Sequence, residues 1–102
     1  VVWPALANRI PAMQSLKLET SWRGHYARNV LDYSPILGPC EGVLDNLYLA
    51  NGFSGHGIMH APAVGRGLAE HVVHGAYDTL DLGCFGYRRI LENRPYREKG
   101  II

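Results

Sequence analysis

The chain has 102 residues, 47% of them hydrophobic, which is typical of one small globular unit. Ten Lys and Arg residues stand against nine Asp and Glu residues, so the net charge is +1 and no nucleic-acid partner is expected. No apolar run approaches the roughly 20 residues that a membrane-spanning helix needs, so no membrane span is predicted. Cys40 and Cys84 stand outside any disulfide framework or zinc-ligand spacing, and we expect two free thiols.

The first half of the chain is predicted to hold a short helix followed by extended segments. Residues 3–9 can form a helix that ends before Pro11, because a proline disfavours the helical conformation of the residue before it. Residues 16–22 alternate between apolar and polar side chains, which is the period of a strand with one buried face. A second extended stretch is predicted at residues 25–29. Turns are predicted at Ser34-Pro35, Gly38-Pro39 and Asp45-Asn46.

A strand, a glycine-rich turn and a helix are predicted to follow in that order. Residues 47–50 form a short apolar run, which suits a buried strand of a parallel sheet. From Ile58 to His74 apolar side chains recur at helical spacing, with Pro62 expected in the first turn and Gly75 at a left-handed C-terminal cap. The turn between strand and helix has three glycines in six positions and consists of Gly52, Phe53, Ser54, Gly55, His56 and Gly57.

The last quarter of the chain is predicted to contain a helical turn at residues 85–91 and a tail of mixed charge. Its basic residues are interspersed with Glu92 and Glu98, and we interpret them as a solvated surface. These basic residues are Arg88, Arg89, Arg94, Arg97 and Lys99.

The glycine-rich turn is the feature that points to chemistry. Its glycines let the backbone approach a ligand closely, and the helix after it presents unpaired N–H groups and the positive end of its dipole. A flavin that accepts a hydride is a suitable ligand, because negative charge collects at its N1 atom and C2 carbonyl. The glycine order is G-x-x-G-x-G and not the G-x-G-x-x-G that holds a pyrophosphate, so this turn is not a dinucleotide fingerprint.

A family resemblance is carried by residues 22–24, 32–38, 52–57, 61–66, 68–70 and 78–82, and it extends to Ile101-Ile102, which lie outside the residues that the structure describes. With them the chain resembles the C-terminal part of the D-amino-acid oxidase, sarcosine oxidase and glycine oxidase superfamily, and most of all its FAD-dependent oxidoreductase domain-containing type. The resemblance implies a mixed α/β fold, with antiparallel strands of a substrate domain in residues 1–45 and the last strand and helix of an FAD-binding domain in residues 46–102. The dinucleotide-binding unit would come from the remainder of the same flavoprotein, so the chain by itself is expected to be inactive.

The resemblance also implies a site. FAD would lie beside the backbone of the turn, with the helix N-terminus pointing at the C2 carbonyl, and Trp22 and Tyr26 would lie on the substrate side of the ring. The implied reaction is oxidation of the C–N bond of a small amine, or of an N-methyl or D-amino acid, by hydride transfer to the flavin. The implied FAD-binding residues are Gly52, Phe53, Ser54, Gly55, His56, Gly57, Ile58 and Met59.

Three positions depart from the family pattern. Tyr26 stands where glycine-oxidase-like members place an arginine that binds the substrate carboxylate. Met59 stands where sarcosine oxidases carry a lysine that promotes the reaction with oxygen, which favours a dehydrogenase. His25 stands near the position of a covalent flavin attachment through cysteine, so the FAD is predicted to be non-covalent.

Two other interpretations remain open at the level of sequence. One is a non-catalytic assembly or binding module that kept the flavoprotein fold. The other is a metal-binding domain that uses His56 and His60, which are spaced to share one helical face. Arg66 is expected to pair with a neighbouring carboxylate rather than with FAD.

Overall fold

The computed structural model of the chain describes residues 2–98. Its elements follow one another in a mixed order of helices and strands. They are helix α1 (Val2–Arg9), a first 3-10 turn (Pro11–Ser15), strands β1 (Ile36–Pro39) and β2 (Tyr48–Asn51), helix α2 (Gly57–His74), a second 3-10 turn (Gly83–Phe85) and helix α3 (Arg88–Leu91). The structure therefore confirms the mixed α/β class, the short first helix and the helical turn near residues 85–91.

The two strands pair in antiparallel fashion, with Ile36 opposite Asn51 and Pro39 opposite Tyr48. The strand predicted at residues 47–50 is confirmed to within one residue, but its assignment to a parallel sheet is wrong within the described residues. Strand β2 is not covered on both faces, because its last two residues, Ala50 and Asn51, are exposed. The expected domain boundary after residue 45 falls in the connection between these paired strands, and the division into two domains stays a prediction.

The predicted strand pair in residues 16–29 does not form in the described part of the chain. Arg28 makes one isolated antiparallel bridge, to Phe53, and the rest of this segment has no strand partner. The apolar residues of its alternating pattern are exposed, as for Leu18 at 73%. A strand needs both a neighbour for its N–H and C=O groups and a layer on which its apolar face can pack. Residues 2–98 supply neither here.

The core lies where β1, α2 and the second 3-10 turn meet. Leu37, Val64 and Leu82 are buried together, and four half-buried side chains surround them. Helix α2 approaches this core through Gly67, where an added Cβ would lie 2.6 Å from the Leu82 Cδ1 atom. The half-buried side chains are Phe53, Leu68, Tyr77 and Phe85. This packing fixes the direction of α2 and so the place of its N-terminus.

Helix α2 matches its predicted bounds to within one residue. Gly75 has a φ of 78° and donates its N–H to the His71 carbonyl at 2.9 Å, which confirms the left-handed cap. Pro62 lies in the second turn and not in the first as predicted, so the Ile58 carbonyl lacks its usual helical donor.

The described residues form an elongated body of 56 × 28 × 27 Å. Their radius of gyration is 18.8 Å, against about 13 Å for a compact domain of this length. No residue from 2 to 28 is buried. None of the helices within the described range is both long and apolar enough to cross a membrane.

Candidate functional site

The turn between β2 and α2 is built from left-handed backbone. Gly52, Ser54 and Gly55 have φ values of 71°, 52° and 94°. Glycine adopts this conformation without a steric cost, and Gly52 also leaves room for Asn29, whose Cβ would lie 3.1 Å from an added Cβ. Ser54 adopts it despite its side chain, and its hydroxyl donates to the Gly52 carbonyl at 3.3 Å.

Residues 27–29 hold the turn from one side. The Ser54 N–H donates to the Ala27 carbonyl at 3.1 Å, and Phe53 forms the antiparallel bridge with Arg28. The His56 N–H donates within the turn, to the Phe53 carbonyl at 2.9 Å. The amides of Ser54 and His56 are thus occupied by the protein itself, and they are not free to bind a ligand.

The first turn of α2 presents open donors instead. The N–H groups of Gly57, Ile58 and Met59 have no acceptor among residues 2–98, and the helix ladder begins with the His60 N–H to the His56 carbonyl at 3.2 Å. His56 gives no side-chain cap, and no acidic residue lies in this turn. The positive end of the helix dipole is therefore not neutralised.

The side chains at the same place are apolar and exposed. Ile58 is 88% exposed and Met59 is 65% exposed. Backbone donors next to exposed apolar side chains suit a flat ring system whose faces are apolar and whose edge carries oxygen and nitrogen acceptors. The residues present therefore fit the pyrimidine edge of a flavin.

A cleft of about 660 Å³ adjoins the turn. Phe53, Ser54 and His56 line it on the side of the turn, and Tyr26 and Arg28 line it on the other. These residues place polar and aromatic groups within one space beside the turn, and Gly57, Ile58 and Met59 are not among the residues that line it. The cleft is large enough for a small amine or amino acid.

Arg28 is one of the cleft residues that the sequence analysis did not assign to the site. Its guanidinium lies over the Tyr33 ring, 4.7 Å from the centroid, and it forms no ion pair within the described residues. Its positive charge is thus not neutralised by an ion pair within residues 2–98, and the carboxylate residues Asp32 and Glu98 line the same cleft. The one signal in the sequence was its spacing of two from Tyr26, which can put both side chains on the same side of an extended segment.

The structure separates the two predicted substrate-side residues. Tyr26 lines the cleft and packs over the turn, since an added Cβ on Gly55 would lie 3.6 Å from its ring. Trp22 is 87% exposed and is not among the residues that line this cleft. The described chain therefore brings Tyr26, but not Trp22, to the predicted cofactor site.

The histidines do not assemble a metal centre in the described residues. The rings of His56 and His60 stack with their centroids 6.1 Å apart, and no group of three metal-ligating side chains occurs in residues 2–98. The ring centroids of His71 and Tyr77 are 4.8 Å apart. The buried Nδ1 atom of His71 has no hydrogen-bond partner among residues 2–98. The side chains of residues 2–98 thus give no support to the metal-binding interpretation.

Two charged side chains tie the last quarter of the chain to the rest. Glu70 pairs with Arg66 at 2.6 Å, which confirms the expected partner of Arg66. The pKa of Glu70 is lowered to about 2 by hydrogen bonds from the Thr79 hydroxyl and N–H, from Arg66 and from the Asp78 N–H.

Arg89 was predicted to lie on a solvated surface, and this is wrong. Its side chain is only 7% exposed and pairs with Asp32.

Comparison with known proteins defines the class to which this fold and site belong. The FAD dependent oxidoreductase family, also called DAO, matches residues 1–71, and the chain belongs to this family. The predicted family and the flavoprotein class are thereby confirmed. No solved structure gives a significant match to the chain.

Three relatives show which members of the family the chain is similar to. FAD-dependent oxidoreductase domain-containing protein 1 of Xenopus laevis is 46% identical over 101 residues, which cover 99% of this chain and 20% of the relative. Its homolog in Drosophila melanogaster is 41% identical over 95 residues, or 93% of this chain and 18% of the relative. Mitochondrial dimethylglycine dehydrogenase of Mus musculus is 42% identical over 53 residues, or 50% of this chain and 6% of the relative. The chain spans about a fifth of the length of the first two relatives.

Proposed function

We propose that this chain is the C-terminal, cofactor-facing part of an FAD-dependent oxidoreductase that oxidises the C–N bond of a small amine or amino acid of N-methyl or D type. One observation carries the proposal. In a chain of the DAO family, the first turn of α2 exposes three N–H donors that neither an acidic residue nor a capping side chain occupies. This donor set favours an electron-rich ligand.

Each part of the turn has a role in this proposal. The backbone N–H groups of Gly57, Ile58 and Met59 would donate to the electron-rich edge of a non-covalently bound FAD, and the glycines at positions 52 and 55 would allow the backbone to come close. Bound FAD supplies the hydride acceptor. Phe53, Ser54 and His56 would contribute the wall between this edge and the cleft.

The cleft supports a substrate that carries a carboxylate as well as an amine. Arg28 offers a positive charge that forms no ion pair in the described part of the chain, and Tyr26 offers an aromatic face at the turn. Dimethylglycine dehydrogenase, a relative over half of the chain, is named for a substrate of this kind. Trp22 remains a predicted second residue on the substrate side. Met59 supplies no charge for a reaction with oxygen, which favours transfer of the electrons to another acceptor.

The remainder of the same flavoprotein is the partner that this proposal requires. One side of α2 carries only apolar or small exposed residues: Ile58, Ala61, Pro62, Gly65, Ala69, Val72 and Val73. An apolar helix face of this length is stable in water only when another layer covers it. We propose that the dinucleotide-binding part of the protein packs on this side of α2, and that the chain alone is inactive.

The test uses the full-length flavoprotein. Purified protein should show visible flavin absorbance, and this absorbance should bleach without oxygen when N-methyl or D-amino acids are added. Amines without a carboxylate serve as the matched comparison and should react more slowly. Full-length protein that binds no FAD would contradict the proposal, and flavin that no amine can bleach would contradict the reaction.

A non-catalytic assembly module is the second candidate, and Met59 and Tyr26 favour it, because neither supplies the charge that related oxidases use at these positions. This candidate predicts protein that co-purifies in a large complex and shows no bleaching with any amine. Size-exclusion chromatography with detection at the visible flavin band separates the two candidates.

A further inference from the structure

Arg89 and Asp32 form a buried ion pair between elements that are far apart in the chain. The Arg89 Nε donates to Asp32 Oδ2 at 2.9 Å and its Nη2 donates to Oδ1 at 3.2 Å. The side chains are only 7% and 1% exposed. The pair joins α3 to the segment that leads into β1.

The remaining donors of Arg89 are used as well. Its Nη1 donates to the carbonyls of Phe85 and Gly86, and its Nη2 donates to those of Ser34 and Pro35. A guanidinium has five N–H donors in a rigid plane, and no other side chain can bind all of these acceptors at once. Arg89 therefore sets the distance between residues 32–35 and the end of the second 3-10 turn.

Asp32 continues this network toward the glycine-rich turn. Its Oδ1 accepts from the Asn29 Nδ2 at 2.7 Å, and the same Asn29 nitrogen donates to the Ser34 carbonyl at 2.8 Å. Asn29 in turn packs against Gly52, which has a positive φ and where an added Cβ would lie 3.1 Å from the Asn29 Cβ. The next two residues toward the N-terminus, Ala27 and Arg28, hold the turn by the hydrogen bond and the bridge described above.

We propose that the Asp32–Arg89 pair is a positioning device for the turn that faces the cofactor: through Asn29 it places residues 52–54, and thereby the open amides at the start of α2, against FAD. The inference rests on the proposed function of that turn. Neither residue touches the first turn of α2, so both act through Asn29 and its neighbours.

Net stability alone is a weak reason for such a pair. A buried ion pair contributes little, because the loss of hydration offsets the attraction between the charges. The ion pair instead fixes geometry, because a network of charge-assisted hydrogen bonds holds Arg89, Asp32 and Asn29 in one arrangement. A positioning role predicts effects on the bound flavin that the loss of stability alone would not produce.

The experiment compares Arg89→Lys with Arg88→Lys in the full-length flavoprotein. Lysine keeps the charge of Arg89 but cannot bind the same set of acceptors. Arg88 is its neighbour on α3 and is exposed, and within residues 2–98 its one ion pair is with Glu92. We expect Arg89→Lys to weaken FAD binding about tenfold, the effect of one charge-assisted hydrogen bond. We also expect its flavin midpoint potential to become more negative, because amides that are out of place no longer stabilise the reduced ring.

The outcomes separate this inference from the proposed function. If the unmodified protein binds FAD, and Arg89→Lys changes neither the FAD affinity nor the potential beyond the change in Arg88→Lys, the positioning role is refuted while the proposed function stands. If the unmodified protein binds no FAD, the proposed function itself fails.

A milder substitution covers the case in which Arg89→Lys does not fold. Asn29→Ala keeps the Cβ that packs against Gly52 but removes three side-chain hydrogen bonds: those that Asn29 donates to Asp32 and Ser34, and the one that its Oδ1 accepts from the Leu31 N–H at 3.1 Å. It should fold with an unchanged circular dichroism spectrum and still shift the potential in the same direction as Arg89→Lys. A folded Asn29→Ala protein with the potential of the unmodified protein would overturn the inference.

Discussion

At the scale of single residues, His56 decides what the helix N-terminus is free to do. It occupies the N-cap position, where Asp, Asn, Ser or Thr would normally accept from the first N–H groups, and its side chain makes no such bond. The donors of the first turn are thus left open for another molecule. A side chain that caps this position would stabilise the helix but would occupy the N–H donors that we propose bind FAD.

His56→Asp tests this conflict. An aspartate at the N-cap should accept from the Ile58 or Met59 N–H and raise the stability of the protein without flavin by about 1 kcal/mol. It should also weaken FAD binding at least tenfold, because it occupies the donors and adds negative charge beside them. Thermal unfolding and flavin titration measure the two effects. His56→Ala is the control: it should neither raise the stability nor weaken FAD binding through competition for the N–H donors. Equal FAD affinity in the Asp and Ala variants would contradict the role of these donors in FAD binding.

The ionisation of Glu70 should make the free energy of unfolding depend on pH. Its folded-state pKa, about 2, lies below the usual 4.5, so the carboxylate contributes stability that is complete above about pH 4.5. This contribution is lost as the pH falls from about 4.5 to about 2, where the carboxyl group protonates in the folded state as well. Helix α2 is then held less firmly to the loop at residues 78–79.

Glu70→Gln should remove this part of the pH dependence. The variant is expected to be less stable than the unmodified protein at pH 7, and the difference should shrink as the pH falls through the same window. Urea unfolding midpoints measured from pH 7 down to pH 2 check this. Glu98 is an exposed glutamate, and Glu98→Gln is the control for the removal of one surface carboxylate. A stability difference that stays constant with pH would show that the charge of Glu70 is not the cause.

At the scale of elements, the hairpin of β1 and β2 depends on a glycine inside a strand. Gly38 has a φ of 93°, and an added Cβ would lie 2.5 Å from the Tyr77 hydroxyl oxygen. A strand with such a residue is bent, and here the bend lets Tyr77 pack against β1. This explains why Gly38-Pro39 resembles a turn in the sequence and yet lies in β1.

Gly38→Ala should therefore destabilise the chain more than Gly42→Ala. Both residues have positive φ, but no atom of the described residues lies within 4 Å of an added Cβ on Gly42. Backbone strain alone should cost about 1 kcal/mol at Gly42. The clash with Tyr77 should raise the cost at Gly38 to about 3 kcal/mol. Unfolding free energies from urea titration measure both, and equal costs would rule out the contact with Tyr77.

At the scale of the whole molecule, the apolar side of α2 is the surface on which we propose that the remainder of the flavoprotein packs, and residues 2–28 likewise contain no buried residue. Ala69 lies on the apolar side, and Ala63 is exposed on the same helix about 120° away around the axis. We expect Ala69→Asp to abolish FAD binding in the full-length protein, because it would bury a charge in the interface. Ala63→Asp is the control and should bind FAD normally. Retained flavin in Ala69→Asp, measured by absorbance after gel filtration, would show that this side stays open to water.

Some of this structure could be predicted without coordinates, and the reason is local. The bounds of α2, the cap at Gly75 and the turn at Asp45-Asn46 depend on neighbouring residues and on the intrinsic preferences of glycine. The same holds for the glycine-rich turn and for the family pattern, since both are continuous runs of residues. These features form the candidate cofactor site at the level of its backbone.

Other features were decided only by the tertiary structure, because they depend on residues that are distant in sequence. Arg89 and Asp32 are 57 positions apart, and nothing near Arg89 distinguishes it from the exposed Arg88. The alternating pattern of residues 16–22 is a true strand signal, yet a strand forms only where a partner is within reach. The antiparallel pairing of β1 with β2 and the place of Arg28 in the cleft likewise follow from long-range packing, which no local pattern encodes.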